Sequence, residues 1–281
     1  MKKLLSLLLS IVLIQYGSIA QNKNSYTIGT YNIRFDNPRD TGNEWVSRRP
    51  AIEALIRFHD FDILGTQEGL YHQLQGLDSS LTDHVYVGVG RTDSLKAGEF
   101  SAIFYKRSKF DERGKGDFWL SATPEKPGLG WDARIPRICS WVKLRDKSTK
   151  KEFFVFNAHF DHQGVVARNE SSKLILQKIR SIAGNSPVIF MGDLNTTQKE
   201  ESYLTIANSA ILKDAFGLTS NPYMLNGTFN GFDIKRKTPD RIDHVFVSKA
   251  FTVQRWGVLT DSFAGRLPSD HYPVLVEVAI R

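Results

Sequence analysis

Short apolar and β-branched runs, each closed by Gly, Pro, Asn or Asp, recur along the whole chain and constrain its fold more than any other feature. The clearest are Tyr26–Tyr31, Phe61–Leu64, Val85–Val89, Ala102–Tyr105, Ile138–Leu144, Phe153–Phe156, Pro187–Met191, His244–Val247, Thr252–Leu259 and Pro273–Ile280. Runs of this length between turn formers read as strands. Helical periodicity is scarcer. Arg48–Phe58 sets Ala51, Leu55 and Phe58 on one face, and Ala167–Ile182 repeats Leu174, Ile175, Ile179 and Ile182 at helix spacing. Ser47 and Ser202 are the expected helix starts. Most successive strands have no helix between them, which argues against a βαβ barrel and for mixed sheets with peripheral helices. No internal repeat, low-complexity tract or long linker divides the chain.

Composition agrees with a folded chain. Of 281 residues, 41% are hydrophobic and 24% charged, which excludes a disordered or polytopic membrane protein. The first residues stand apart. Lys2-Lys3, an apolar run from Leu4 to Ile14, then Ser18-Ile19-Ala20 before Gln21, form the layout of a secretory signal peptide cleaved after Ala20. The run is too short to span a bilayer, which needs ~20 apolar residues. No cysteine follows it to carry a lipid anchor. The expected division is therefore residues 1–20 as signal peptide and 21–281 as one domain, secreted or periplasmic and without a membrane span. Cleavage removes two lysines and no acid, so the formal charge of +7 becomes +5. That surplus suits an anionic substrate but is too small to argue for nucleic acid. The single cysteine, Cys139, lies in the alternating stretch Ile138–Val142 and reads as packing.

Chemistry collects at the ends of the runs. Four runs finish in polar clusters: Thr30-Tyr31-Asn32, Thr66-Gln67-Glu68, Asn157-Ala158-His159 and Gly192-Asp193-Leu194-Asn195. Two late runs begin with one, Asp243-His244 and Ser269-Asp270-His271. If the late strands run antiparallel to the other four, all six clusters meet on one rim, where a site is rigidly held yet open to solvent. The rim would then carry His159, His271, Glu68, Asp193, Asp243, Asp270, Asn32 and Asn195. No nucleophile elbow, P-loop or His-Glu-x-x-His helix accompanies them. A site rich in carboxylates and amides, without thiols, suits a hard cation such as Mg²⁺ or Mn²⁺. The combination points to metal-assisted hydrolysis of a phosphate ester by an activated water.

These clusters, in this order from Tyr26 to the C-terminus, resemble the endonuclease/exonuclease/phosphatase superfamily. The phrases Tyr31–Asn37, Ala97–Phe100, Gly130–Ala133 and His159–Gly164 look closest to its secreted Bacteroidetes-like members. The resemblance implies the deoxyribonuclease I fold, an α+β four-layer α/β/β/α sandwich of two mixed sheets flanked by helices. It implies Glu68 as principal metal ligand, with Asn32 and Asp270 completing the metal side. Asp193 would orient or deprotonate the water, and Asn195 would hold it together with a phosphate oxygen. His159 and His271 would act as imidazoliums on the non-bridging oxygens, oriented by Glu99 and Asp243 respectively. Asp240 competes with Asp243 for its role, and Asp243 is preferred because it directly precedes the strand.

Substrate choice is less constrained. The histidine block runs on into Asp161-His162-Gln163-Gly164, beyond the family's core motif, and His162 is a candidate substrate or second-metal residue. Trp131, Asp132, Arg134 and Arg137 form a polar-aromatic group suited to a small phosphorylated or sugar-bearing ligand. The basic clusters near Lys106, Lys143–Lys151 and Lys235–Lys237 are interleaved with acids and make no stripe for a nucleic-acid backbone. The expected protein is a monomeric phosphoesterase for a small or lipid-linked ester. A secreted nuclease and a catalytically silent binding module are the alternatives.

Overall fold

Alternation along the strands decides the architecture. In the run Phe153–Phe156, Phe153 and Val155 belong to one buried cluster and Phe154 and Phe156 to another. A strand buried on both faces belongs to a sheet covered on both sides. A computed structural model, which describes residues 25–224 and 226–281, shows how each side is covered. The expected signal peptide and its cleavage after Ala20 lie outside the described residues.

Two six-stranded mixed sheets pack face to face. The strands are β1 (Ser25–Asn32), β2 (Ile63–Gln67), β3 (His84–Val87), β4 (Ile103–Lys106), β5 (Phe110–Trp119), β6 (Ile138–Asp146), β7 (Glu152–His159), β8 (Val188–Asp193), β9 (Lys213–Asp214), β10 (Asp243–Val247), β11 (Phe251–Val258) and β12 (Val274–Ile280). One sheet has the order β11-β12-β1-β2-β4-β3 and the other β5-β6-β7-β8-β10-β9. The helices are α1 (Trp45–His59), α2 (Tyr71–Ser80), α3 (Val165–Ala183) and α4 (Glu201–Ala207). Three buried clusters separate four layers. Tyr26, Ile28, Val155, Met191 and Val276 fill the space between the sheets. Ile52, Leu55 and Leu74 seal α1 and α2 onto the first sheet, and Ile175, Ile179 and Ile206 seal α3 and α4 onto the second. This is the expected α/β/β/α sandwich. Among the described residues no helix is long and apolar enough to cross a membrane.

Three local expectations change. α1 begins at Trp45 rather than Ser47, and its buried face is Trp45, Arg48, Ile52, Leu55 and Ile56. Phe58, expected on that face, is 83% exposed, because residues 48, 52, 55 and 56 set the helix phase and turn position 58 outward. Glu200 rather than Ser202 precedes α4, so Ser202 lies in its first turn. β5 was hidden by its charges Asp111, Glu112, Arg113 and Lys115. It is an edge strand paired only with β6, where charged side chains face water and deter further pairing. Cys139 is fully buried in the layer between the second sheet and its helices, as packing requires.

A polar joint fastens the sheets near the rim. Asn157 Nδ2 donates to the carbonyls of Thr66 (2.9 Å) and Ala102 (2.8 Å). Asn157 Oδ1 accepts from Gln67 Nε2 (2.7 Å), which also donates to Thr30 Oγ1 (3.0 Å). Gly65 leaves room for it, since a Cβ there would stand 2.9 Å from Asn157 Cγ. Asn157→Leu strands these groups in the dry interior, so we expect a loss of about 2–4 kcal/mol, read from the denaturant midpoint. A change below 1 kcal/mol would show that water replaces the joint.

Candidate active site

Strand direction brings the clusters together. β7 runs parallel to β8, and β10 runs antiparallel to it, so His159, Asp193 and Asp243 pair side by side across three strands. β1 lies parallel to β2 and antiparallel to β12, which sets Asn32, Glu68 and the 269–271 segment on the same rim. Parity does the rest. Ile189, Met191, Val245 and Val155 face the space between the sheets, and Asp193, Asp243 and His159 share their parity. Ile28 puts Asn32 on the inner face of the opposite sheet. The rim is therefore the end of the inter-sheet core, where apolar side chains give way to polar ones.

Asp193 is its centre. It is 1% exposed, and its Oδ2 accepts from Asn32 Nδ2 at 3.0 Å while its Oδ1 accepts the Asn195 N–H at 3.0 Å. His159 Nε2 and His271 Nε2 lie 3.5 and 3.7 Å from Oδ2. Burial, with Asp243 nearby, pushes the Asp193 carboxyl up to about 7. His271 donates from Nδ1 to Asp243 Oδ2 at 2.9 Å, and Asp243 is itself fully buried. Burial opposes the charge on His271, but Asp243 and Asp193 outweigh it and hold the ring protonated well above the usual histidine range. Asp240 stays in the preceding loop, its carbonyl accepting the Thr228 N–H at 3.3 Å.

Three of the assigned residues are held by contacts that the sequence did not show. Burial, Arg137 and Arg91 drive His159 well below the usual histidine range, which favours the neutral ring over a second imidazolium in the free protein. Asn195 Nδ2 donates to Phe160 O and lies 3.1 Å from His159 Nε2, which leaves the ring proton on Nδ1. Glu99 is 4.0 Å from that Nδ1 and is held instead by Arg91 through contacts of 2.6 and 2.7 Å. Glu99 thus faces His159 without a hydrogen bond. Asn32 brackets two carboxylates: its nitrogen spans Glu68 Oε1 (2.9 Å) and Asp193 Oδ2 (3.0 Å), while its oxygen accepts the Arg34 N–H (3.0 Å).

Glu68 and Asp270 fit a hard cation. Burial raises the Asp270 carboxyl, and Glu68 raises it further against the opposing pull of His271. Two carboxylates so close call for positive charge, and Arg34 Nη1 stands 3.8 Å from Glu68 and 3.6 Å from Asp270. Asp193, Asp243 and His271 also bring one possible ligand atom each within 4.8 Å. Within that group the His271 ring is bonded to Asp243.

The cleft over this centre measures about 320 Å³ and is walled by Arg34, Phe35, Ile135, Arg137, His162 and Phe229. Of the expected substrate residues, Arg137 and His162 line it, but Trp131 and Asp132 do not. Asp132 accepts the N–H groups of Val166 (3.2 Å) and Ala167 (2.6 Å) and so caps α3. Trp131 is 39% exposed outside the cleft. Arg34, Phe35 and Phe229 were not anticipated. Arg34 pairs with Asp40 through contacts of 2.7 and 3.0 Å, and Phe229 packs its ring edge against His271 at 5.1 Å. Arg48 was also missed. It is buried in α1 and donates to the carbonyls of Asn43, Ile33, Pro268 and Arg34, tying the loop after β1 to the segment before Asp270.

A fold of this kind with such a rim is that of phosphoester hydrolases. Residues 29–271 match the model of the Endonuclease/Exonuclease/phosphatase family, and the chain belongs to that family. A family member from Bacteroides thetaiotaomicron is 46% identical, with a TM-score of 0.89 over 92% of this chain and 98% of its own. A mannosyl-6-phosphatase of the same organism is also 46% identical, with a TM-score of 0.88 over 91% of this chain and 100% of its own. The catalytic domain of human Nocturnin, 20% identical with a TM-score of 0.72 over 92% of this chain and 94% of its own, shares the fold.

Proposed function

We propose that the protein is an exported, divalent-metal-dependent phosphomonoesterase for small sugar-linked phosphates. The cleft of about 320 Å³ carries this reading, since that volume suits a phosphate with one attached ring. The similarity to a mannosyl-6-phosphatase supports it. Glu68 and Asp270 would hold Mg²⁺ or Mn²⁺, which when bound supplies Lewis-acid neutralisation of phosphate charge. Asp193 aligns the attacking water and takes up its proton, and Asn195 orients that water against the phosphate. His271, held protonated by Asp243, donates to the non-bridging oxygens as charge builds there. His159, neutral, positions Asn195.

The test is kcat/KM with Mg²⁺ for mannose 6-phosphate, a bis-aryl phosphodiester, a short-chain phospholipid and an oligonucleotide. The sugar phosphate should exceed the others by about 10²-fold or more. Preference for the oligonucleotide would favour the nuclease alternative, and no turnover of any substrate would leave a binding module.

A further inference from the structure

Arg137 carries a charge in the cleft that the chemistry above does not use. Its side chain is 4% exposed. Nε lies 3.4 Å from Asp161 Oδ2 and Nη2 lies 3.0 Å from His162 Nδ1, while Nη1 is buried with no partner among the described residues. Asp161 does not complete the fork. Its carboxylate already accepts the N–H groups of Gly164 (2.7 Å), Gln163 (3.0 Å), Arg134 (3.1 Å) and Ile135 (3.4 Å). It therefore clamps the 134–137 segment to the 161–164 turn and braces Arg137 by Nε. A guanidinium stays charged and can only donate, and buried donors are almost always paired. The free Nη1 of a cleft-lining arginine is thus a donor awaiting an anion.

The same bond settles His162. Because Arg137 can only donate, His162 Nδ1 must accept, so the ring is neutral with its proton on Nε2. The His162 side chain is 44% exposed, so this fixed donor stands at the cleft mouth, outward of the buried arginine.

We propose that Arg137 and His162 form a substrate subsite that selects a phosphomonoester dianion carried on a sugar. Arg137 Nη1 donates to a non-bridging phosphate oxygen, and His162 Nε2–H donates to a hydroxyl of the group bearing the ester. A monoester keeps the negative charge that a diester loses to its second ester bond, and a buried guanidinium reads that difference. An aryl phosphate lacks the hydroxyl that His162 would meet. The subsite rests on the phosphomonoesterase reading above and names the ester it prefers.

The experiment measures kcat/KM for mannose 6-phosphate, p-nitrophenyl phosphate and bis(p-nitrophenyl) phosphate in the wild type, Arg137→Met, Arg137→Lys and His162→Ala. Arg137→Met should lower both monoesters about 10²-fold more than the diester and weaken inhibition by inorganic phosphate in parallel, with Arg137→Lys between. His162→Ala should lower mannose 6-phosphate about tenfold more than p-nitrophenyl phosphate. Equal losses on all three substrates would overturn the subsite. If Arg137→Met does not fold, Arg137→Lys and the exposed His162→Ala decide it by the same ratios. A wild type that turns over neither monoester would overturn the phosphomonoesterase reading and the subsite with it.

Discussion

Asp193→Asn loses at least about 10³-fold in kcat while the protein stays folded. The substitution keeps size and shape but removes the carboxylate that the proposed mechanism uses to take a proton from the attacking water. Asp193 Oδ2 is also the point to which Asn32, His159 and His271 converge, within 3.0 to 3.7 Å. Stability should change little. One of two accepted bonds is lost, yet a buried carboxylate repelled by Asp243 is lost with it. Thermal melting followed by steady-state kinetics on the same preparation separates the two effects. A large fall in both would make Asp193 a structural residue; a kcat within tenfold of wild type would exclude it as the base.

The second large effect concerns Asp243, which touches no solvent and acts through His271. Asp193 must be ionised to act, so activity disappears as pH falls through its raised pKa of about 7, a midpoint that a bound cation lowers. His271 must be protonated, so activity disappears again as pH rises past its own elevated value. The profile is a bell. Asp243 raises both groups. Asp243→Asn should therefore move both limbs to lower pH and cut kcat by about 10²- to 10³-fold, since an amide also fails to fix the ring tautomer. A bell that loses height without shifting would mean that the Asp243 carboxylate has no hold on the protonation of His271.

These expectations show which parts of the molecule could be read without coordinates. Alternation made the strands legible, and the same period of two set Asp193, His159 and Asp243 toward one interior once their neighbours were known to be core. The positions of the carboxylates at run ends needed only the direction of the two late strands. Charge states were not legible. His159 and His271 look alike in sequence, but one lies beside Arg137 and Arg91 and the other against Asp243, and those neighbours come from distant segments. Arg34 and Phe229 were invisible for a related reason. Each sits in a loop with no periodicity, and each gains its place from contacts across the rim. Asp132 misled because a carboxylate next to a tryptophan suggests a ligand, whereas here it meets the free N–H groups at the start of α3. The helix phase failed at Phe58 because exposed aromatics carry no mark that distinguishes them from buried ones.

The measurement closest to the central claim is phosphate release from mannose 6-phosphate by metal-stripped protein, before and after Mg²⁺ or Mn²⁺ is restored. The site as built around Glu68, Asp270 and Asp193 predicts no turnover without the ion, full recovery with it, and no recovery in Glu68→Gln. Turnover that persists undiminished in EDTA, or recovery in Glu68→Gln equal to the wild type, would contradict it.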